Sequence, residues 1–544
     1  MDIRRIAIPC AFAAAALLPG IAQAQLYPNY TDLGSSSYYY SGAAYTQDRS
    51  ARTGALGGGH VIGLIPDGLT DLYRNCAFAA ADTGASVRLA RRRTPVQLLP
   101  FGLISASFEM SNNYIGSFDI NEAGTAFPLG KGWSCALTAQ WTALHVSDPR
   151  NDIRENYYRW GEVARSVQYE CLIDDQQYFR LDLALARDTG DLRAGLRAGG
   201  SNAYYTDQFQ GKRIRSEYIF DTELEEQVRT FENRSADLDR RIRRSAIRYV
   251  ELGILGERSD LALRGSWESD FGEHTTRSSS SIEDYRASGY LLTRYDFQST
   301  TWSHRGEGDI YRLSLAGRHA FGSGVAVYAG GAVETGEYDS DWSSVRDEYH
   351  WNSGVESMLL ARGYDGAGDF GRIGGFLRAG RSFEPHEKLE VFVSGSADLW
   401  RLTFEELGPT SRLLRTVENG TVTESGGPGI MEIDREALIS SLVLPVSAEI
   451  EPAPFMRLYF GLIAGVRWSV IELDAALPDP AVYEAEDYEG LRSGMRREDL
   501  EEIFEIELGF SFDFRERLFL DFNTAGDLTP DQLDYYTLDL RYVF

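Results

Sequence analysis

The sequence predicts an all-β chain: a transmembrane antiparallel β-barrel of about 14 strands, with 16 as the alternative, carrying an N-terminal plug-like segment and long extracellular loops. Three observations predict it. From residue 98 onward, segments of about ten to sixteen residues alternate apolar and polar side chains. Tight turns alternate with long polar excursions along the same stretch. After the first two dozen residues no apolar run approaches the length of a membrane-spanning helix.

The chain opens with Arg4 and Arg5, an apolar run "IAIPCAFAAAALLPGIA", and Ala22-Gln23-Ala24. A basic start, an apolar middle and a small-x-small site are the marks of a secretory signal peptide. Residues 1–24 are therefore expected to be removed between Ala24 and Gln25, and the mature chain is expected in the outer membrane of a Gram-negative bacterium. Residues 25–95 read differently from the rest. "YTDLGSSSYYYSGAAYTQDRSARTGALGGGH" is too rich in Gly, Ser and Tyr for a core of its own. A segment tucked into a barrel lumen would explain it, which leaves 96–544 for the barrel.

The strands follow from parity. In "EIFEIELGFSF" Phe504, Ile506, Leu508, Phe510 and Phe512 share one face, and Glu505, Glu507 and Ser511 the other. A helix would scatter these side chains, whereas a strand sorts them. "MRLYFGLIAGVRWSV", "KLEVFVSGSADLW", "GWSCALTAQWTALHV" and "YFRLDLALAR" repeat the pattern, and "LLPFGLISASF" is a further candidate. The last strand sets Tyr536, Leu538, Leu540, Tyr542 and Phe544 on one face, opposite Asp539 and Arg541. A strand in lipid must satisfy its backbone through its neighbours, so the sheet has to close.

Turns such as "DTGD", "FGSG" and "EPHE" are tight, while 206–244, 272–307, 339–370, 406–434 and 475–500 read as long loops. Within 222–248, Leu224, Val228, Phe231, Leu238 and Ile242 fall at helical spacing, with acids early and arginines late, which predicts a helical cap on one loop. Trp141, Trp267, Trp400 and Trp468 suit interfacial girdles. Of the cysteines outside the signal, Cys135 and Cys171 are favoured over Cys76 as a pair, which the sequence alone does not prove.

Inward parity collects Arg180, Asp182, Arg193, Arg197, Arg264, Glu268, Arg312, Glu334, Arg372, Arg378, Asp398, Arg457, Arg467, Glu505, Glu507, Asp521, Asp539 and Arg541. Both signs are interspersed, so these residues can form an ion-pair lattice that stiffens the barrel, a polar pore, or the wet interior of a plugged barrel. They argue against a wholly apolar conduit.

The order of leader, Gly/Ser/Tyr-rich stretch, "TDLYRNCAFAA" and barrel resembles the outer-membrane long-chain fatty-acid transporter family (FadL-like) and related PorV-like barrels. That family carries Asn-Pro-Ala in its plug shortly before the first strand. The matching positions are Asn75, Cys76 and Ala77, with Cys76 standing where the family has proline. The resemblance implies a plug, a hydrophobic substrate that binds near the loop-rimmed end or leaves sideways, and a terminal strand ending in Phe544 that is read by the barrel-assembly machinery.

A net charge of −27 disfavours nucleic acid. None of the seven histidines lies in a metal-binding or triad-like pattern, so no enzyme, metal or cofactor is expected. The expected partners are outer-membrane lipid, lipopolysaccharide and a small-molecule ligand. Three functions stand in order: passive uptake of small hydrophobic molecules, a polar-solute porin-like channel, and a structural, adhesive or secretion-partner barrel without transport.

Overall fold

The computed structural model describes residues 50–80, 85–97, 114–157, 163–221, 226–286, 291–351, 355–476, 495–514, 517–526 and 535–543. The leader, the Gly/Ser/Tyr-rich stretch to 49, "LLPFGLISASF" and Phe544 lie outside these residues. The described strands are β1 (Ser86–Gln97), β2 (Tyr114–Gly130), β3 (Trp133–Tyr157), β4 (Val163–Asp188), β5 (Arg193–Asp221) and β6 (Glu226–Leu255). They continue with β7 (Ser259–Arg286), β8 (Leu291–Ala320), β9 (Val325–Trp351), β10 (Val355–His386) and β11 (Leu389–Glu418). The last five are β12 (Thr421–Ala453), β13 (Met456–Ala476), β14 (Met495–Phe514), β15 (Leu518–Gly526) and β16 (Tyr535–Val543).

Each strand pairs antiparallel with its sequence neighbour, and β1 closes on β16 from Ser86↔Val543 to Arg93↔Tyr536. The barrel therefore has sixteen strands, not fourteen. The two that the parity reading lacks are β1 and β2. β1 follows outward Val87 and Leu89 with three successive arginines and Pro95, and β2 faces outward with the small Ala123 and Thr125 before Phe127 and Leu129. In each the bulky outward alternation is only two residues long, shorter than in the others, and the barrel begins at Ser86 instead of 96.

The long polar excursions are a second correction. Much of 206–244, 272–307, 339–370 and 406–434 continues the strands, so that β8, β10, β11 and β12 run for 30, 32, 30 and 33 residues. The helix expected within 222–248 is absent, because β6 occupies that stretch from Glu226 on. Pairing with β5 and β7 fixes it as a strand, and its helical spacing is incidental.

Alternation persists in these extensions with its polarity reversed. Near the tight turns β10 faces outward with Ile373 and Leu377 and inward with Arg372 and Arg378, whereas farther along Asp369 is exposed and Phe370 buried. β8 turns over within four residues: Leu313 is outside and Arg312 inside, then Asp309 is outside and Ile310 inside. On β12, Leu442 and Leu444 are exposed below, while Asp434 is exposed and Ile433 and Met431 are buried above.

The crossover lies at a row of aromatics. Exposed Trp141 stands opposite Phe179, and exposed Trp267 opposite Tyr311. A second exposed aromatic row, with Trp133, Phe321, Phe383, Phe455 and Phe514, sits at the tight turns. Trp133 and Trp141 are separated by eight residues of one strand, roughly 20 Å of bilayer for a tilted strand. An apolar band between two aromatic girdles is the outer surface of a membrane-spanning barrel. Trp468 belongs to the outer surface too, but Trp400 does not. It shares the parity of Asp398 and buried Leu402, and the guanidinium of Arg372 lies 4.2 Å from its ring centroid.

The wall is uneven in height. β15 and β16 have nine residues each and β1 has twelve, against 20 to 33 in β3 to β14. Pairing of β2 with β3 runs only from Gly130↔Trp133 to Asn121↔Trp141. Cys135 and Cys171 are both free. Cys171 lies opposite Pro149 of β3, fourteen residues beyond Cys135, so no bridge can form.

Candidate functional site: the plug and its anchors

Residues 50–80 lie inside the barrel at the tight-turn end. Two short helices, α1 (Ala51–Ala55) and α2 (Gly68–Arg74), start at side-chain caps. Ser50 Oγ accepts from the Thr53 amide at 3.0 Å, and Asp67 accepts from the Thr70 amide at 2.9 Å. The caps also tie the helices together, since the Ser50 amide donates to Thr70 Oγ1 at 3.0 Å and Ser50 Oγ to Asp67 at 2.9 Å. Between them Leu56, Val61, Ile62, Leu64 and Ile65 pack against inward Ala326, Tyr328, Phe392 and Tyr459. After α2, Cys76, Ala79 and Ala80 pack against Ala136, Ala184 and Ala186, whose small side chains let the segment approach the β3–β4 wall.

Charged groups on the wall hold the plug from two sides. On β12 and β14, Glu449 accepts from Arg52 Nε and Nη2 at 2.9 and 2.7 Å, and Glu507 accepts from the Gly57 amide at 2.7 Å. On β5 to β7 the grip is denser. Asp260 receives Arg74 in a two-pronged pair, one prong 2.7 Å long. Arg197 and Arg264 donate to the Tyr73 carbonyl at 2.8 and 3.3 Å, satisfying the C-terminal end of α2 with positive charge. Glu251 sits between them, accepting from Arg264 Nε at 2.9 Å and lying 3.5 Å from Arg197.

Asn75, Cys76 and Ala77 are fully buried at this grip. The Asn75 amide group donates to the carbonyls of Ile254 and Leu261 at 3.1 and 3.2 Å, and its oxygen accepts from the Ala77 amide at 3.0 Å. The Cys76 amide donates to Glu251 at 2.8 Å. Proline at this position would have no such hydrogen, so the departure from Asn-Pro-Ala adds a bond to the wall. Burial pushes the Cys76 thiol up to about 12, with Glu251 adding to the effect. The wall is notched to receive the motif: a Cβ on Gly253 would overlap the Asn75 side-chain oxygen, and one on Gly195 would come 2.7 Å from the Ala77 nitrogen.

A third cluster ties the closing seam to α2. Arg88 of β1 donates to Asp539 of β16 at 2.6 and 2.7 Å, to the Tyr73 hydroxyl at 2.8 Å and to Glu122 of β2. Glu122 also accepts from the Tyr73 hydroxyl and, at 2.8 Å, from Gln140. Breaking one partner out of such a buried pair typically costs about 3–5 kcal/mol, because a charge is left uncompensated.

Of the eighteen inward charges expected from parity, Arg180, Asp182, Arg197, Arg264, Glu268, Arg312, Glu334, Arg372, Arg378, Glu507 and Asp539 are buried. Asp182 pairs with Arg180 at 2.8 Å, and Glu334 with Arg312 at 2.7 Å and Arg372 at 3.4 Å. Asp398, Asp521, Arg467 and Arg541 are half-buried, and Arg467 reaches Glu501 at 2.8 Å. Arg193 and Arg457 lie at the tight-turn rim, paired with Asp188 and Glu449, and Glu505 is exposed. Leu538, Leu540 and Tyr542 face outward, while the side chain of Tyr536 is not among those described. Sequence reading missed Arg88, Glu122, Glu251 and Asp260. Glu251 and Asp260 were within reach, since "YVELGIL" and "SDLALRG" alternate; Arg88 and Glu122 lay on the unread strands.

No protein-family profile matches the chain, and no curated protein matches it. Solved structures similar to it include the toluene transporter TodX of Pseudomonas putida, at 11% identity over 91% of this chain and 97% of that one, with a TM-score of 0.28. The toluene transporter TbuX of Ralstonia pickettii is 9% identical over 92% and 97%, at 0.30. A Pseudomonas aeruginosa FadL homologue is 10% identical over 90% and 97%, at 0.30. Likenesses this distant fix neither family nor substrate, and the function is read from the chain's own residues.

Proposed function

We propose that this protein is an outer-membrane barrel of a Gram-negative bacterium, secreted with its leader removed after Ala24, that admits small hydrophobic molecules passively. The observation that carries the reading is where the inward charges are used. They hold the plug and one another at the tight-turn end, and above them the inner face of β8 to β12 is mostly apolar, with Ile310, Tyr338, Phe370, Leu402, Phe404 and Met431 buried and Glu406, Thr410 and Arg412 of β11 buried among them. A hydrophilic pore would keep unpaired charge along an open lumen, whereas an apolar inner face above a fixed plug suits a molecule that needs no hydration shell. The named activity of the toluene transporters is in keeping with this class of substrate.

The porin-like reading is tested by conductance. Planar bilayers holding the purified protein are expected to show no large, stable ion channels, and channels of that kind would defeat the uptake reading. Gram-negative cells producing the protein should take up radiolabelled toluene several-fold faster than cells lacking it.

A further inference from the structure

Above the outer girdle the external surface of the barrel changes sign around its circumference. On β8 to β12 the acids Asp309, Glu337, Asp369, Glu405 and Asp434 stand in one row. On β6 and β7 the surface is basic. Val250, Leu252 and Ile254 of β6 face lipid, and the same parity continues upward through Arg248, Arg244 and Arg240, all exposed. Arg277 of β7, on the parity of Trp267, is exposed beyond them.

Arg248 stands opposite Trp267 of the girdle. Its guanidinium donates to the carbonyls of Ser201 and Ile247 at 2.8 and 2.7 Å and to the Asn202 side chain at 2.9 Å, all neutral acceptors. Gly200 makes room for it, since a Cβ there would come 2.7 Å from Arg248 Cδ. Arg244 is flanked by Tyr204 and Phe271, whose ring centroids lie 5.6 and 5.8 Å from its guanidinium carbon. Among the described residues no carboxylate pairs with Arg240, Arg244, Arg248 or Arg277. On β5 the neighbouring outward residues Asn202, Tyr204 and Gln208 carry no charge. On the other side Glu273 of β7 stands opposite Arg305 of β8, which also donates to Glu307 at 2.7 Å. The basic and acidic strips therefore meet at β8.

We propose that the basic strip binds lipopolysaccharide of the outer leaflet, with lipid A phosphate at Arg248 and Arg244 and the acidic inner-core sugars at Arg240 and Arg277. The strip's role depends on the outer-membrane location proposed above and not on what the lumen carries. Charge and height together select the lipid. Arg248 is level with the girdle. For a tilted strand Arg244 stands about 10 Å farther out, and Arg240 about 20 Å. A glycerophospholipid head group ends about 5–8 Å beyond the hydrocarbon, so it can reach Arg248 but not Arg240. Lipopolysaccharide carries anionic groups at both levels, and guanidinium takes phosphate or carboxylate oxygens in paired hydrogen bonds. On a chain of net charge −27, the acidic strands repel the same lipid, which confines its seat to β6 and β7.

Titration of the purified protein in detergent with deep-rough lipopolysaccharide, lipid A bearing only its first acidic sugars, tests the site. In the triple variant Arg240→Gln, Arg244→Gln, Arg248→Gln, affinity is expected to fall about tenfold or more. Arg305→Gln, an exposed arginine whose charge is already matched, is expected to stay within about twofold of wild type. An unchanged triple variant would remove the site, and an equal loss in Arg305→Gln would reduce the effect to net charge. Phosphatidylglycerol and inorganic phosphate should each compete about tenfold less well than the lipopolysaccharide; equal competition by either would overturn the choice of lipid. Wild-type crystals grown with the same lipopolysaccharide are expected to place a phosphate within hydrogen-bond reach of Arg244 or Arg248, a result that needs no variant to fold. Lipid seated only on other strands would contradict the proposal. Toluene uptake by the triple variant should stay near wild type, so failure of this site and failure of the uptake reading are told apart.

Discussion

The same strands are built in opposite senses below and above the outer aromatic girdle, and the contrast shows which solvent each level meets. Below it, β8 to β12 are mostly leucine and valine outside, while inside they carry arginine, glutamate and serine beside Tyr328 and Phe392, which pack on the plug. Above it the outer face carries the acids Asp309, Glu337, Asp369, Glu405 and Asp434 beside a few exposed aliphatics such as Leu407. The inner face there carries Ile310, Tyr338, Phe370, Phe404 and Met431 with Glu406 and Arg412 among them. A strand has one period, and what changes is the surroundings. At membrane depth the outer face touches hydrocarbon, and the inner face must satisfy a plug rich in polar backbone ends. Beyond the bilayer, for roughly 50 Å of strand, the outer face is in water and the inner face is the only dry place left.

Breaking the inner face of the upper level should have the largest effect. Phe404, 2% exposed and 5.0 Å from Phe370 between ring centroids, should cost about 3–5 kcal/mol on truncation to Ala. Limited proteolysis should then cut the distal strands while heat-modifiable mobility of the membrane portion persists. The outer face gives the next test. Leu444→Arg lies in the apolar band and should cost about 2–4 kcal/mol in unfolding from lipid. The same change at exposed Leu407, above the girdle, should stay within about 0.5 kcal/mol. Equal costs at both sites would erase the boundary.

At the plug, Cys76→Pro removes the amide that donates to Glu251 and should destabilise the folded barrel by about 1–3 kcal/mol. A neutral or stabilising result would mean that a rigid turn outweighs the wall bond. The smallest effect concerns the acids above the girdle. Asp309, Glu337, Asp369, Glu405, Asp434 and Asp474 stand directly opposite one another across six neighbouring strands. Like charges so placed repel, and Asp369→Asn should raise stability by about 0.2–1 kcal/mol at low salt. The gain should vanish in about 1 M salt, where screening is short-ranged.

The lower half of the barrel was legible because hydrocarbon demands an apolar face. Leu181, Leu183 and Leu185 or Leu442, Leu444 and Val446 announce themselves by that demand. The upper half was not, since strands were sought by an apolar outer face, and "RGEGDI" or "GAGDFG" alternates with the opposite sense. β1 and β2 were hidden by Arg91, Arg92 and Arg93 and by small outward residues. Asn75 could be picked out, but what makes it an anchor is the glycine notch at Gly195 and Gly253, on strands well over a hundred residues away. Only the closed sheet brings those positions together.

The inversion itself is open to a direct measurement. Spin labels on cysteines introduced at Leu313, Leu377, Leu399 and Leu442, and at Asp309, Asp369, Glu405 and Asp434, would report lipid or water at each site in reconstituted bilayers. Oxygen should relax the first four labels and a water-soluble nickel complex the second four, with the change occurring between positions 309 and 313 of β8. Lipid-accessible labels at 369 and 405, or water-exposed labels at 377 and 442, would contradict a bilayer edge at the girdle and the reading of the barrel built on it.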